Sequence, residues 1–173
     1  MSAIERAIIV ARKILQKHSF DGAVPIEKIA QDEGLEIKHL SLSDSVSGAM
    51  KRKNRSGKPV IIVNENDTEE RKRFTIAHEL GHFLLHSLSP QYIDKHRIYF
   101  RDADSSTGED IKEIQANQFA AELLMPTNLL KKDFHEHSSL IQDDNPSKLI
   151  RKLANKYQVS EQAMSIRIGK FLY

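Results

Sequence analysis

Cysteine is absent from all 173 residues. That rules out disulfide bridges and every thiolate metal site, and leaves histidine and carboxylate as the strong protein ligands available to a transition metal. No apolar run approaches the ~18 residues a membrane span needs, so no membrane partner is expected. No secretion leader is expected either, because Met1–Leu15 interrupts its apolar positions with Glu5, Arg6, Arg12 and Lys13, an amphipathic pattern rather than a signal-peptide core. Nor is there a large excess of one charge. With 26 basic against 24 acidic residues and a net charge of +2, the field of the chain gives no case for direct nucleic-acid binding as its main task. These absences together describe a cytoplasmic protein, and 173 residues suit one compact domain, 1–173, with a real core.

Against that plain background stands the segment 74–88, FTIAHELGHFLLHSL. His78, Glu79 and His82 form an HExxH pattern. On a helix, four-residue spacing puts two imidazoles on one face about one turn apart, within reach of a single Zn²⁺. Glu79 lies roughly 100° further round. From there it is poorly placed to ligate but well placed to bind a water and act as its base. Phe74, Ala77, Gly81, Leu84, Leu85 and Leu88 fall on one side of His78, and Ile76, Leu80 and Phe83 continue the apolar surface. A helix this apolar is a core helix, and a narrow stripe of histidine and glutamate inside it needs partners. The competing reading is a core helix whose histidines bond to carbonyls; the spacing and the glutamate favour a metal.

A catalytic zinc needs a third protein ligand and one open position. The segment 109–126, EDIKEIQANQFAAELLMP, puts Ala116, Phe119, Ala120, Ala121, Leu123 and Leu124 on one helical face with Gln115, Gln118 and Glu122 opposite. Glu113 and Asn117 sit within the apolar face. A carboxylate there is either paired or bound to metal, which makes Glu113 the expected third ligand. Asn117, one turn on, is expected to accept the free N–H of a zinc-bound histidine from the second shell of the site. Glu109 shares the face and is the rival ligand, although acidic residues near a helix start also serve the dipole. Glu122 reads as a solvated residue.

The two motifs, HELGHFLLH followed by ExxAN-x-FAAELLMP and spanning about residues 74 to 126, resemble the ImmA/IrrE family of bacterial and phage metallopeptidases. The resemblance implies an α+β fold, a mostly helical zincin-like domain with a small β-sheet next to the HExxH helix. It implies a zinc-dependent endopeptidase with His78, His82 and Glu113 at the family's ligand positions and Glu79 as catalytic base. It also implies a protein substrate, a helix-turn-helix transcriptional repressor whose cleavage releases a set of genes. Nothing at the N-terminus resembles a fused repressor, so the expected partner is a separate chain.

Elsewhere the pattern is coarser. Residues 2–18 read as a helix with Ile4, Ala7, Ile8, Ala11, Ile14 and Leu15 inward, and Pro25–Glu33 as a short second helix stopped by Gly34. Leu35–Leu42 reads as a strand. Gly48–Lys53 and Pro59–Asn64 flank NRSGK as a hairpin, its tip made basic by Lys51, Arg52, Lys53, Arg55 and Lys58, which reads better as solubilising charge than as a docking site. The second of these strands, PVIIVN, is the better candidate for function: if one of its edges is unpaired, it can pair with an extended substrate. Asp67 with Glu70, or Thr68, caps the metal helix. Residues 89–108 read as a loop at the rim of the site, with His86, Tyr92, His96 and Tyr99 as candidates for stabilising the oxyanion.

The C-terminal portion 138–173 reads as two helices joined at residues 158–160, with Ser160 as cap. This helix-turn-helix-like pair supports an alternative: a DNA-binding or scaffolding regulator that acts by partner binding, with a structural or latent zinc. The preferred reading is that Leu149, Ile150, Leu153, Ala154, Val159, Ala163, Ile166 and Ile168 complete the core. A structural zinc takes four protein ligands, and only three convincing ones are present.

Overall fold

The structure, a computed structural model, describes residues 2–20, 22–52, 57–86, 108–137 and 146–172. Helix α1 (Ala3–Leu15) begins where the Ser2 hydroxyl accepts from the Glu5 N–H at 3.1 Å and the Glu5 carboxylate accepts from the Ser2 N–H at 2.6 Å, a reciprocal cap that satisfies two orphan donors. Its buried stripe of Ala7, Ala11 and Ile14 is narrow because small residues let a neighbouring helix come close. Helix α2 (Ile26–Asp32) follows Pro25. It stops at Gly34, whose φ of 94° is a left-handed conformation that glycine adopts without strain.

Three strands follow: β1 (Glu36–Leu40), β2 (Gly48–Arg52) and β3 (Pro59–Asn64). β2 and β3 form the antiparallel hairpin expected from the sequence, with Gly48 opposite Val63 and Met50 opposite Ile61. β1, however, pairs with the other side of β3, in parallel, so the sheet order is β1-β3-β2. The condition for a substrate edge on PVIIVN is therefore not met: β3 is the central strand and both its edges are used. Its uniform apolar character reflects that position, with Ile61 and Val63 fully buried. The edges are β1, which lies against α2, and β2, which lies with β3 against the metal helix.

That helix, α3 (Glu69–Leu85), is capped by Thr68, whose hydroxyl accepts from the Arg71 N–H; of the two residues considered as cap, the structure uses the threonine. Helix α4 (Gly108–Leu124) packs against α3 on one side and α1 on the other. Helix α5 (Thr127–Glu136) occupies residues to which the sequence reading assigns nothing. It is tied to helix α6 (Pro146–Tyr157) through Asp133, which accepts from Lys156 Nζ and from the Tyr157 hydroxyl, each at 2.7 Å. Helix α7 (Glu161–Leu172) completes the chain after Ser160, whose hydroxyl caps it by accepting from the Ala163 N–H. The result is a mostly helical α+β fold with its small sheet beside the HExxH helix.

Three expectations about side chains are overturned: Ile4, expected inward on α1, is 43% exposed, and Glu122 and Ile166 also depart from their expected places. Glu122 is only 2% exposed; its carboxylate accepts from Arg167 on α7, from Arg12 Nε on α1 at 2.8 Å and from the Thr127 hydroxyl at 2.6 Å. The face of α4 opposite the metal is thus covered by other helices and not by water. On α7, Ile166 is 37% exposed while Met164 and Arg167 turn inward, because the helix meets Glu122 with its arginine side. Leu149, Leu153, Ala154, Val159 and Ile168 are buried as expected. Among the described residues no helix is long and apolar enough to cross a membrane.

Candidate metal centre

The three candidate ligands come from two helices that cross at close range, and a glycine allows the crossing. A Cβ on Gly81 would lie 2.9 Å from the Phe119 ring and 3.2 Å from the Ala116 Cα, so any larger residue between the two histidines would hold α4 off. Mid-helix glycine costs about 1 kcal/mol against alanine; here that cost accompanies the approach that brings Glu113 to the histidines.

His78 and His82 are 4% and 2% exposed, and Glu79 between them is fully buried. The two Nε2 atoms face each other at 2.9 Å. Glu113 reaches the same point, with one carboxylate oxygen 3.1 Å from His82 Nε2 and the other 3.4 Å from His78 Nε2. Ligand atoms of these three residues lie within 4.8 Å of one another. The side chain of Glu113 is 31% exposed against 5% and 3% for the two imidazoles, so the cluster opens to solvent on the α4 side.

Asn117 lies one turn after Glu113, its Oδ1 2.9 Å from His78 Nδ1. An amide oxygen accepts, so the His78 proton belongs on Nδ1, and its Nε2 lone pair points into the cluster. Two imidazole nitrogens and a carboxylate then converge with lone pairs inward. A single proton between the nitrogens would serve one bond, whereas a divalent cation would engage all three groups, so the donor set fits a metal ion.

The other sequence candidates fall as follows. His86 is the C-cap of α3 and donates from Nε2 to the Lys112 carbonyl at 3.2 Å. Burial pushes its imidazole below the ordinary value, and the bond to Lys112 offsets this only in part. The ring is therefore neutral near pH 7 and serves as a pin between the end of α3 and the turn of α4 before Glu113. Tyr92, His96 and Tyr99 lie outside the described residues, as does the side chain of Glu109. The sequence reading missed the Gly81 crossing and the His86–Lys112 pin. A glycine inside an otherwise well-formed helix was the available signal for the first; the second had none, since it uses a main-chain acceptor.

Residues 30–169 match a peptidase family described as the IrrE N-terminal-like domain. Immunity region protein 2 of Bacillus phage phi105 is 36% identical over 66 residues, 38% of this chain and 37% of that protein. The radiation response metalloprotease IrrE of Deinococcus deserti is 38% identical over 71 residues, 41% of this chain and 24% of that one. Its counterpart in Deinococcus radiodurans is 37% identical over 67 residues, 39% of this chain and 19% of that one. The matched segment thus spans well under half the length of each of these relatives. A solved Mycobacterium tuberculosis transcriptional regulator superposes with a TM-score of 0.61 over 93% of this chain and 46% of its own. At 16% identity that likeness concerns the fold alone.

Proposed function

The chain belongs to the peptidase family described as the IrrE N-terminal-like domain, and from that premise we propose that it is a zinc-dependent endopeptidase acting on a separate helix-turn-helix repressor. The observation that carries the reading is the convergence of His78 Nε2, His82 Nε2 and the Glu113 carboxylate on one point. Two imidazoles and one carboxylate, with solvent access on one side, make the donor set of a hydrolytic zinc rather than of a four-ligand structural one. Zinc held there would supply Lewis-acid polarisation of the scissile carbonyl and would lower the pKa of the attacking water.

The remaining work falls to the protein. Asn117 fixes the tautomer and orientation of His78. Glu79, on the same helix turn and shielded from bulk water, takes the proton from the attacking water and returns it to the leaving amine. β2, the sheet edge beside α3, offers main-chain groups along which an extended segment can add as a further strand. An interdomain linker in a repressor is such a segment. The immunity-region name of the phage relative is in keeping with a regulatory target. The DNA-binding alternative is weakened by α7, where Arg167 is buried against Glu122 instead of facing a groove.

The test is co-expression with candidate helix-turn-helix repressors, taken first from the products of the genes that flank this one. A defined shorter repressor fragment and derepression of its promoter are expected, with both lost in Glu79→Gln while zinc content and melting temperature stay at wild-type values. Derepression that persists in Glu79→Gln with the repressor intact would overturn proteolysis in favour of regulation by binding.

A further inference from the structure

Gly48 opens β2 at the point where that strand meets the metal helix. A Cβ built on it would overlap the Thr75 methyl Cγ2 and stand 2.8 Å from the Ile62 carbonyl oxygen. Gly22 and Gly34 are the described glycines with positive φ; Gly48 is not among them. It is therefore required for space and not for backbone freedom. Thr75 is 3% exposed, and its hydroxyl finds no hydrogen-bond partner among the described residues. A buried hydroxyl in that state is unfavourable, so hydrogen bonding does not account for the threonine; its contact with the strand is what the structure displays.

The entry to β2 is fastened one helix turn earlier. Ser47 accepts from Arg71 Nε at 2.6 Å and, through its carbonyl, from the Asn64 N–H at 2.8 Å. Asn64 is itself 1% exposed and donates to the Val46 carbonyl at 2.9 Å. Arg71, Thr75 and Glu79 follow at four-residue steps and share one face of α3. Along β2, Ser47 meets the first and Gly48 the second, and Met50, on the same side of the strand as Gly48, is 2% exposed.

The hydrogen-bond phase of the strand adds to this. Because the Asn64 N–H donates to Ser47, the bonded pairs of the ladder are Ser47 with Asn64, Ala49 with Ile62 and Lys51 with Val60. The N–H and C=O groups of Gly48 and Met50 therefore point away from β3, toward the edge that no described strand covers.

We propose that Gly48 and Thr75 are positioning residues, whose contact sets the height of the free β2 edge over the metal-binding half of α3. The inference rests on the peptidase reading, since the groups held at that height are those that would receive an extended peptide. A side chain at position 48 lifts the edge and leaves the metal ligands where they are. A misplacement of about 1 Å between bound peptide and reacting groups costs roughly 100-fold in rate.

The test uses the full chain loaded with zinc and a tryptic peptide library of a bacterial lysate, in which new termini are read by mass spectrometry; the best-cut peptide is then synthesised for kinetics. In Gly48→Ala, kcat/KM is expected to fall by roughly 10- to 100-fold, with KM raised, at a temperature where the variant is fully folded. Zinc affinity, measured against a competing chelator, is expected to stay within about twofold of wild type. Adding Thr75→Ser to Gly48→Ala removes the overlapping methyl but not the approach to the Ile62 carbonyl oxygen, and should recover part of the loss. Unchanged kinetics in Gly48→Ala, a parallel loss of zinc affinity, or no recovery in the double variant overturns the positioning role. Zinc-loaded wild type that cuts nothing in the library overturns the peptidase reading, and this proposal with it.

Discussion

Replacing Glu122 by glutamine removes one charge and little volume from the cluster that joins α1, α4 and α7. Glu122 and Arg167 are 2% and 8% exposed at the side chain, and breaking such a pair by neutralising one partner typically costs about 3–5 kcal/mol. Arg12 adds little, since its side chain is 47% exposed and a pair open to solvent contributes within about 1 kcal/mol. Arg167 also donates to the Met125 carbonyl and the Thr127 hydroxyl, which leaves it partly satisfied. The lower end of the range, about 3 kcal/mol, is expected. For a chain of this length each kcal/mol moves the midpoint by roughly 2–4 °C, so Glu122→Gln should melt about 6–12 °C below wild type at pH 7.

The effect has a defined pH dependence. Burial pushes the Glu122 carboxyl up, but the hydrogen bonds from Thr127 and Arg12 and the charge of Arg167 outweigh it and hold the carboxyl below the ordinary value. A carboxylate with a depressed folded pKa stabilises the fold above its unfolded value of about 4.3 and loses that contribution as pH falls through the folded one. The gap between wild type and variant should therefore close between pH 7 and strongly acid solution. Arg167→Met in the Glu122→Gln background should recover much of the loss, because the uncompensated charge is gone. Calorimetric melts across pH would check both arms. A Glu122→Gln midpoint within about 2 °C of wild type at pH 7, less than 1 kcal/mol, would refute the argument.

Three further outcomes follow from the metal centre. Protein purified without chelator should hold about one zinc per chain, and stripping it should lower the melting temperature, since a ligand bound only by the folded state stabilises it; His82→Ala and Glu113→Ala should each lose metal in elemental analysis. Asn117→Ala should weaken zinc binding about 10–100-fold in a chelator competition, because the His78 ring loses the acceptor that orients it. Gly81→Ala, which thrusts a methyl at Phe119 and Ala116, should separate α3 from α4 and lower zinc affinity, although alanine is the better helix former.

What the sequence made legible was local periodicity. Four-residue spacing on an apolar helix was enough to pair His78 with His82, and a carboxylate on an apolar face pointed to Glu113; both depend on a single helix. Glu122 was misread because a helical wheel shows which residues share a side but not whether another helix covers it, and here α7 does. The neighbours of β3 were hidden for the same reason one level up. A short apolar run does not by itself name its neighbours, and the parallel partner β1 lies earlier in the chain with a mostly exposed, poorly alternating sequence. Gly48 and Gly81 look like interruptions in one dimension, and their use appears only when the surface opposite each is known.

The Glu122 cluster also bears on the order in which the chain folds. Arg12 and Arg167 reach Glu122 from 110 and 45 positions away in sequence, whereas His78 and Asn117 are 39 apart. Closure entropy grows as the logarithm of loop length, so the loop to Arg12 costs about 0.9 kcal/mol more to close than the one between the metal helices, while the loop to Arg167 costs nearly the same. On that ground the α3–α4 crossing that bears the metal ligands can assemble before α1 is fastened to α4. Interactions made after the transition state govern how fast a protein comes apart rather than how fast it forms. Glu122→Gln is therefore expected to raise the rate of unfolding more than it slows folding, which the two arms of a denaturant chevron would show.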